Sequence, residues 1–361
     1  MKKYLTITWL VVLLFTYGAK PTYAQAIADA KTTTGLFDND EVLDVAITGN
    51  IKALLNDRSD NDPYRPQTLL YKDADSTEVS LQVEAKTRGH FRKMRENCIY
   101  PPLLIHFINN AQLQSSVFKG QDKLKMVTPC LTDAYVIKEY LLYKIYNLIT
   151  PKSLKAKLLK VSLTDTKSNK QYKPFYTILL EDEEQMAQRN NVVVIKRKIY
   201  PQDTDTATFL TMAVFEFMIA NTDWSVEYLQ NIKELNNELT GVAEAVPYDF
   251  DHAGLVNAPY AKPAEALLMS SVRDRRYRGY CVKELKIFES IIPTFNRLKN
   301  DIYNLYNSCT LLDAKYIKSA LQYLDEFYAI INNPKAWQKD FSYPCDKNGT
   351  GNVVIKGLSK N

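Results

Sequence analysis

Hydrophobic and polar residues follow different periods in the two halves of the chain. Between residues 35 and 107 they alternate in short runs, as in Val-Ser-Leu-Gln-Val-Glu-Ala at 79–85, and turn-rich polar stretches such as 57–66 separate the runs. A period of two residues is typical of strands with one buried face. The first half of the chain is therefore predicted to be rich in β-strand.

One segment of the first half has helical spacing instead. Apolar residues recur every three or four positions over 134–149, after Asp133 and before Pro151, which predicts a helix. Three runs rich in Leu, Val, Ile and Tyr follow it, at 157–164, 173–181 and 191–199. We expect these three runs to be strands of the same sheet.

The second half has the periodicity of helices. Residues 206–220 carry a broad apolar face, and the same spacing recurs over 281–307, with an interruption expected at Pro293, and over 312–332. The pattern predicts an α+β chain with two lobes, a β-rich N-terminal one and a helical C-terminal one, which meet near residue 200 and leave a cleft between them.

The two ends of the chain set the predicted boundaries. Lys2 and Lys3 precede an apolar run and small residues that suit cleavage after Ala24 or Ala26, so residues 1–26 are predicted to be a signal peptide. The run is shorter than the roughly 20 residues of a membrane span. We therefore expect an exported protein, periplasmic or extracellular, with no stable membrane span. The remaining predicted parts are the β-rich lobe, the helical lobe and a C-terminal tail, at 27–200, 201–335 and 336–361.

Net charge and cysteine spacing argue against two classes of protein, nucleic-acid binders and zinc proteins of standard ligand spacing. A net charge of +5 is too small for the dense basic stripe of a nucleic-acid binder, so no nucleic-acid partner is expected. The five cysteines stand far apart without a CxxC pair, which argues against a zinc site of standard spacing. One or two disulfides fit an oxidising compartment, and the sequence leaves their pairing open.

Candidate chemistry lies in two loops of the second half. Asp223 follows a predicted helix, Asn231 comes eight residues later, and Asp249 and Asp251 follow the apolar lead-in at 245–248. Phosphoryl transfer needs one carboxylate to orient a hydroxyl, and an amide and a second carboxylate to hold Mg²⁺. The alternative is structural, since Asp and Asn after a helix commonly form turns and paired acidic residues commonly lie on exposed ones.

The motifs of other phosphate-binding and hydrolytic enzymes are absent from the sequence. There is no GxxxxGK[ST], GxGxxG, GxSxG or HExxH motif, and only 11 glycines. Phosphates would have to be held by Lys and Arg, and the runs at 88–93 and 123–125 supply candidates. A further basic cluster at 273–278 would either bind an anionic group or form a solvated face.

The loops at 221–251 resemble those of the atypical secreted kinases of the spore coat CotH type and, more distantly, HipA-like kinases. Arg88-Gly89-His90 with the strand at 102–107 is similar to that family's Arg-Gly-Asn element, with His90 in place of its Asn, and the strand at 176–181 is similar to the family's Glu-ending strand. The chain also resembles an uncharacterised exported family of Bacteroidetes type, for which no reaction is implied.

This resemblance implies a bilobal kinase-like fold that uses ATP with Mg²⁺ or Mn²⁺. It makes Asp223 the catalytic residue and Arg88, Lys125 and Glu181 the residues that bind the cofactor. The implied metal ligands are Asn231, Asp249 and Asp251.

Two functions are consistent with these residues. The first is an exported, metal-dependent, kinase-like phosphotransferase that acts on a hydroxyl of an unknown protein or small-molecule acceptor. The alternative is a catalytically inactive, pseudokinase-like binding or scaffold protein of the cell envelope. Both require the predicted residues to gather in one cleft.

Overall fold

The computed structural model describes residues 35–59 and 61–342. The predicted signal peptide lies outside this part of the chain. The strands are β1 Leu43–Gly49, β2 Arg65–Lys72, β3 Glu78–Thr87, β4 Leu103–Phe107, β5 Lys123–Val127, β6 Ala156–Asp165, β7 Lys170–Gln171, β8 Phe175–Leu180, β9 Val193–Ile195, β10 Ile232–Asn236 and β11 Ala243–Pro247. The helices are α1 Ile51–Asn56, α2 Ala111–Gln114, α3 Asp133–Ile149, α4 Glu183–Arg189, α5 Thr206–Ile219, α6 Phe288–Asn307, α7 Ala314–Ile331 and α8 Pro334–Phe341.

The β-rich first half closes into a seven-stranded barrel. The strands follow the order β1-β2-β3-β4-β5-β8-β6, and β6 also pairs with β1, in parallel, to close the ring. The short β7 extends the sheet from β6. Closure joins residues such as Val45 and Val161, which are more than a hundred positions apart. The β-rich prediction is confirmed, whereas closure depends on this long-range pairing and has no local signal.

Alternation along the strands fills the barrel interior. Val45 and Ile47 on β1 and Leu81 and Val83 on β3 are almost completely buried, and their neighbours in the sequence are more exposed. Successive residues of a strand point to opposite faces, so one face supplies the interior. These side chains belong to one hydrophobic cluster, which α1 and α2 complete.

A second hydrophobic cluster lies among the helices. It is built from buried side chains of α3, α5, α6, α7 and α8. Residues on the outer face of the barrel, such as Leu158 and Ile178, pack against them. The helix predicted over 134–149 is confirmed as α3, which contacts β6, β8 and α6. The helix predicted over 206–220 is confirmed as α5. Its side chains are buried on nearly all sides, as expected for a helix inside a core.

The structure corrects two local predictions. The run at 191–199 is not part of the barrel, because β9 pairs with β10 in a separate three-stranded sheet completed by β11. Helix α6 continues through Pro293 rather than stopping there, because Ile292 and Phe295 on either side are buried in the helical cluster and their packing outweighs the lost backbone bond.

The predicted C-terminal tail begins inside a packed helix. Trp337 and Phe341 of α8 are buried in the helical cluster, and residues 343–361 lie outside the described part of the chain. Within the described residues, no helix combines the length and the apolar character needed to cross a membrane.

Candidate functional site

A cavity of about 570 Å³ lies where the barrel meets the loops of the second half. This volume is in the range of sites that bind small molecules and cofactors. Most of its lining comes from four segments: the loop between β3 and β4 at 88–92, strand β5 at Lys125 and Val127, the loop after α5 at Asp223 and 228–231, and the loop after β11 at 248–249 and 251–252. Pro102 and Leu180 complete it.

The loop after α5 is held by hydrogen bonds at its base. The helix ends at Ala220, whose left-handed backbone turns the chain away from the helix axis. Asn221 Oδ1 then accepts a hydrogen bond from the Asp223 amide at 3.1 Å, and Trp224 Nε1 donates to the Asn221 carbonyl at 3.2 Å. Arg278, which is buried, donates to the carbonyls of Thr222 and Trp224. Asp223 therefore stands on a rigid turn.

Asp223 and Asn231 are directly connected. Asn231 Nδ2 donates to the Asp223 carbonyl at 2.7 Å and to its carboxylate Oδ2 at 3.1 Å, and Gln230 Nε2 donates to the other carboxylate oxygen. Because the amide nitrogen of Asn231 is used in this way, its Oδ1 is the atom left to coordinate a cation. Burial raises the pKa of Asp223, and His252, with Nδ1 4.0 Å from Oδ2, opposes that rise.

Asp249 occupies a constrained position directly after β11. Its φ is 66°, and its amide donates to the hydroxyl of Tyr143 on α3 at 2.8 Å. Burial, and then the nearby charge of Asp251, raise the pKa of the Asp249 carboxyl to about 6. Asp249 is half-buried and faces the cavity, and such a carboxylate is a suitable ligand for a cation, because a cation would supply compensating positive charge.

Three of the nine non-glycine residues with positive φ in the described part of the chain line the cavity. Leu229, Asn231 and Asp249 have φ values of 50°, 53° and 66°, a region that residues other than glycine rarely adopt. Gly89, which also lines the cavity, has a φ of 83°. For residues other than glycine such positions cost about 1–3 kcal/mol each, whereas glycine adopts them freely. The strain at Leu229, Asn231 and Asp249 is therefore a feature of the cavity wall that is independent of the side-chain chemistry.

A basic wall faces the acidic loops. Lys125 Nζ lies 3.6 Å from Oε2 of Glu183, the first residue of α4, and Lys233 forms an ion pair with the same carboxylate. Both ammonium groups lie over the ring of Tyr248, at 5.3 and 5.0 Å from its centre. Burial, and then the charges of Lys233 and Arg88, lower the pKa of Lys125 to about 8. An anion that enters the cavity would therefore meet a cluster of cations.

Arg92 joins the loop between β3 and β4 to the acidic loop. Its Nη1 is 3.6 Å from Asp251 Oδ2 and 3.9 Å from Glu139 Oε2 on α3, and its Nη2 donates to the Thr128 carbonyl. Asp251 also accepts a hydrogen bond from Tyr260 at 3.0 Å. Burial, and then Asp251, raise the pKa of Glu139. Asp251 is thus the better-compensated of the two acidic residues in its loop.

A disulfide anchors the same loop. Cys98 follows Arg92 by six positions and is bonded to Cys130, which lies between β5 and α3. The bond ties the loop that carries Arg88 and Arg92 to the strand that carries Lys125. Cys309 is a free thiol elsewhere in the chain.

The structure brings six of the seven predicted site residues to one cavity. These residues are Arg88, Lys125, Asp223, Asn231, Asp249 and Asp251. Their roles stay predictions. Glu181 does not line the cavity; its carboxylate is buried and accepts hydrogen bonds from Arg189 at 2.8 and 2.9 Å and from the Lys155 amide at 2.9 Å. Arg189 neutralises this carboxylate, which explains why Glu181 is buried away from the cavity.

Sequence reasoning missed several residues of the site. Glu183 lies two positions after the predicted Glu181, at the start of α4, a short helix that the sequence pattern did not predict. Arg92 belongs to the basic run that contains Arg88, and only its contact with Asp251 distinguishes it. His252 directly follows Asp251, and its position near Asp223 depends on the packing of two distant loops.

The basic cluster at 273–278 is structural. Arg273 donates to the Gly254 carbonyl at 3.3 Å, Arg275 pairs with Glu326 at 3.1 Å, and Arg276 donates to the Leu267 carbonyl at 3.4 Å. Arg278 supports the Asp223 loop, as described above. None of these arginines is among the residues that line the cavity.

The acidic residues of the site do not form a complete metal cage. Within the described residues, no group of three or more His, Cys, Asp or Glu side chains is arranged to hold a metal ion. Mg²⁺ at phosphoryl-transfer sites is usually held by one or two carboxylates together with substrate phosphates and water. Asp249 and the Asn231 amide oxygen fit that smaller requirement, because one is an undercompensated carboxylate and the other is oriented by Asp223.

Comparisons with known proteins give little further information. No protein-family model and no curated protein matches the chain. A solved structure similar to it is the proinflammatory kinase CtkA of Helicobacter pylori, at 14% sequence identity and a TM-score of 0.40, over 68% of this chain and 92% of that chain. A TM-score at this level carries no argument about fold or chemistry, so function has to be inferred from the cavity itself.

Proposed function

We propose that the protein is a metal-dependent, kinase-like phosphotransferase that uses ATP or another nucleotide to phosphorylate a hydroxyl group. The single observation that supports this most strongly is the pairing of Asp223 with Asn231 in the cavity that also contains Asp249 and Lys125. A hydroxyl-orienting carboxylate, two oxygen ligands for a cation and a phosphate-binding cation are the parts that phosphoryl transfer requires. In this proposal the barrel and the helical region are the two lobes of a kinase-like arrangement.

Each residue of the cavity has a specific role in the proposal. Asp223 accepts the hydrogen bond of the acceptor hydroxyl and orients its oxygen toward the transferred phosphoryl group. The raised pKa of Asp223 suits a proton acceptor, because general bases work best with a pKa closer to the operating pH. His252, 4.0 Å away, lies where it can take part in proton transfer to or from the Asp223 carboxylate.

The acidic and basic walls divide the charge of the nucleotide between them. Asn231 and Asp249 hold the cation, and Lys125 and Arg88 neutralise phosphate oxygens. When bound, Mg²⁺ or Mn²⁺ supplies charge neutralisation and a fixed orientation of the phosphates. Asp251 was predicted as a ligand, and in this proposal it adds negative charge to the loop, with its carboxylate oriented by Tyr260 and Arg92.

We also propose that the protein works in an oxidising compartment outside the cytoplasm. The Cys98–Cys130 disulfide supports this location, because disulfides persist in exported proteins and are rare in reducing compartments. The predicted signal peptide agrees with it.

The proposal is tested by the binding and turnover of ATP with Mg²⁺ or Mn²⁺. Asp249→Asn is the variant of choice, because Asn tolerates the positive φ that would strain Ala, and Asp44→Asn on the exposed face of β1 is the matched control. We expect Asp249→Asn to lose metal-dependent turnover by about 100-fold or more. Turnover equal in the two variants would contradict the proposal. ATP binding without turnover in the wild type would favour the inactive binding protein instead.

A further inference from the structure

A second cavity adjoins the first and has a different chemistry. It has a volume of about 400 Å³ and is lined by Arg58, Lys93 and Arg95, among others. It shares Gly89 and His90 with the main cavity, so the two are separated only by the turn at those residues. A group bound there would be next to the proposed site of phosphoryl transfer.

Two guanidinium groups in this second cavity lack a carboxylate partner among the described residues. Arg58 donates to the carbonyls of Lys93 at 2.6 Å and Ile99 at 2.9 Å, and Arg95 donates to Asn56 Oδ1 at 2.8 Å. Neither arginine forms a salt bridge within the described part of the chain, whereas Lys93 is neutralised by Asp62 at 3.3 Å. The cavity therefore keeps positive charge that the protein itself does not balance.

The two arginines also lie close enough to repel each other. Burial, and then the charge of Arg95, lower the pKa of Arg58. Glu96 also lines the cavity, but it is exposed and makes no ion pair with either arginine within the described residues. Two like charges held together without a counter-ion favour the binding of an external anion.

The turn between the cavities adds backbone donors. Gly89 has a φ of 83°, and the amides of Gly89 and His90 donate no hydrogen bond to a described residue. Consecutive amides in a turn of this kind form a concave site that suits an oxyanion. A side chain at Gly89 would meet no atom within 4 Å, so the space beside it is open to a ligand.

We propose that this second cavity is an anion subsite that binds an oxyanion group of the acceptor, either a phosphate, a sulfate or a carboxylate, next to its reacting hydroxyl. Its role toward an acceptor rests on the proposed function of the main cavity; its ability to bind an oxyanion does not. The subsite would make the enzyme selective for hydroxyl acceptors that already carry negative charge. Arg95 is the exposed arginine of the subsite, and Arg58 is half-buried.

The experiment separates the two cavities by mutation of the full-length protein. Lys125→Ala removes a phosphate-binding cation of the main cavity, and in that background Arg95→Glu is compared with Arg297→Glu, the same charge reversal on the exposed face of α6. Calorimetric titration with sodium phosphate at constant ionic strength should show affinity reduced about tenfold by Arg95→Glu, since charge-assisted hydrogen bonds are lost. Arg95→Lys should restore most of it, and Arg95→Ala should give an intermediate value.

Further titrations identify the group and keep the two proposals distinguishable. If Arg95→Glu weakens the binding of acetate, the subsite binds a carboxylate. If it weakens the binding of phosphate or sulfate, the subsite binds a tetrahedral oxyanion. The same affinity in Arg95→Glu and Arg297→Glu for all three anions would overturn the subsite. If the wild type binds Mg²⁺–ATP but changes at Arg95 affect the binding of no anion, the proposed function stands without the subsite. If anion binding depends on Arg95 but the protein does not bind ATP, the subsite stands and the kinase proposal is rejected.

Discussion

Lys125 on β5 and Glu183 at the start of α4 form an ion pair across the wall of the cavity, with 3.6 Å between Nζ and Oε2. The same carboxylate also pairs with Lys233 and with Lys196, the latter at 3.6 Å. Glu183 therefore organises three cations, and its charge is shared among them. Burial opposes its ionisation, but the lysines outweigh that effect and lower its pKa.

The first prediction compares Glu183→Gln with Glu181→Gln. Without the Glu183 carboxylate, Lys125 and Lys233 lose their shared counter-ion and can pair with phosphate oxygens instead, so nucleotide affinity should rise by about fivefold, within the scale of an ion pair. Glu181→Gln should leave affinity unchanged and instead lower the free energy of unfolding by about 1–3 kcal/mol, because Arg189 loses a buried charged partner. Nucleotide titration and denaturant unfolding of both variants measure the two effects. The reverse pattern would restore the sequence-based assignment of Glu181.

The second prediction concerns pH and Lys125. Its pKa of about 8 lies below the ordinary value of 10.5, so between these values the unfolded chain binds more protons than the folded one. This group therefore makes the protein more stable as pH rises through that window. Nucleotide binding should change in the opposite direction and weaken above pH 8, as the ammonium loses its charge.

Lys125→Arg is the control for this pH effect. A guanidinium remains charged throughout the range, so the variant should bind nucleotide with an affinity that stays flat above pH 8. Dissociation constants measured for both proteins from about pH 6.5 to about pH 9.5 provide the comparison, because this range brackets the pKa of Lys125. Parallel curves for wild type and variant would show that Lys125 does not contact the phosphates.

The third prediction concerns Asp223. In Asp223→Asn the side chain keeps its shape but loses its charge and one acceptor for the amides of Gln230 and Asn231. We expect turnover to fall by about 100- to 10,000-fold, the contribution typical of a general base. Nucleotide affinity should change by less than about threefold, because Asp223 is proposed to contact the acceptor rather than the phosphates. A large loss of nucleotide affinity with unchanged turnover would contradict the proposed role of Asp223 as the general base.

The fourth prediction concerns the disulfide. Replacement of Cys98 and Cys130 by Ser opens a covalent loop with a sequence separation of 32 residues. The free energy of unfolding should fall by about 3 kcal/mol, and ligand affinity should also fall because the loop that carries Arg88 and Arg92 is less restrained. Cys309→Ser, at a free thiol, is the control. Without reductant, the denaturant curves of the wild type and the double variant should differ, and with reductant they should coincide because the wild-type bond is then broken. Coincidence without reductant would be evidence against a stabilising bond.

Local sequence patterns predicted much of the secondary structure and most of the candidate site. The periods of two and of three to four residues located β3, α3 and α5 because each element buries one face or, in α5, nearly all of its surface. The order of Asp223, Asn231 and Asp249 along the chain pointed to one chemistry, and these residues do line one cavity. The residue types at these positions, and their places directly after predicted helices or strands, can be read from the sequence itself.

Other features were decided only by the tertiary structure. The barrel closes through the pairing of β1 with β6, and Glu183 rather than Glu181 reaches Lys125 because the start of α4 turns its side chain toward β5. Likewise, the contact between Arg92 and Asp251 joins residues far apart in the chain. The physical reason is the same in each case: a period or a motif reports which face of an element is buried, whereas the partner on the other side depends on how distant segments pack.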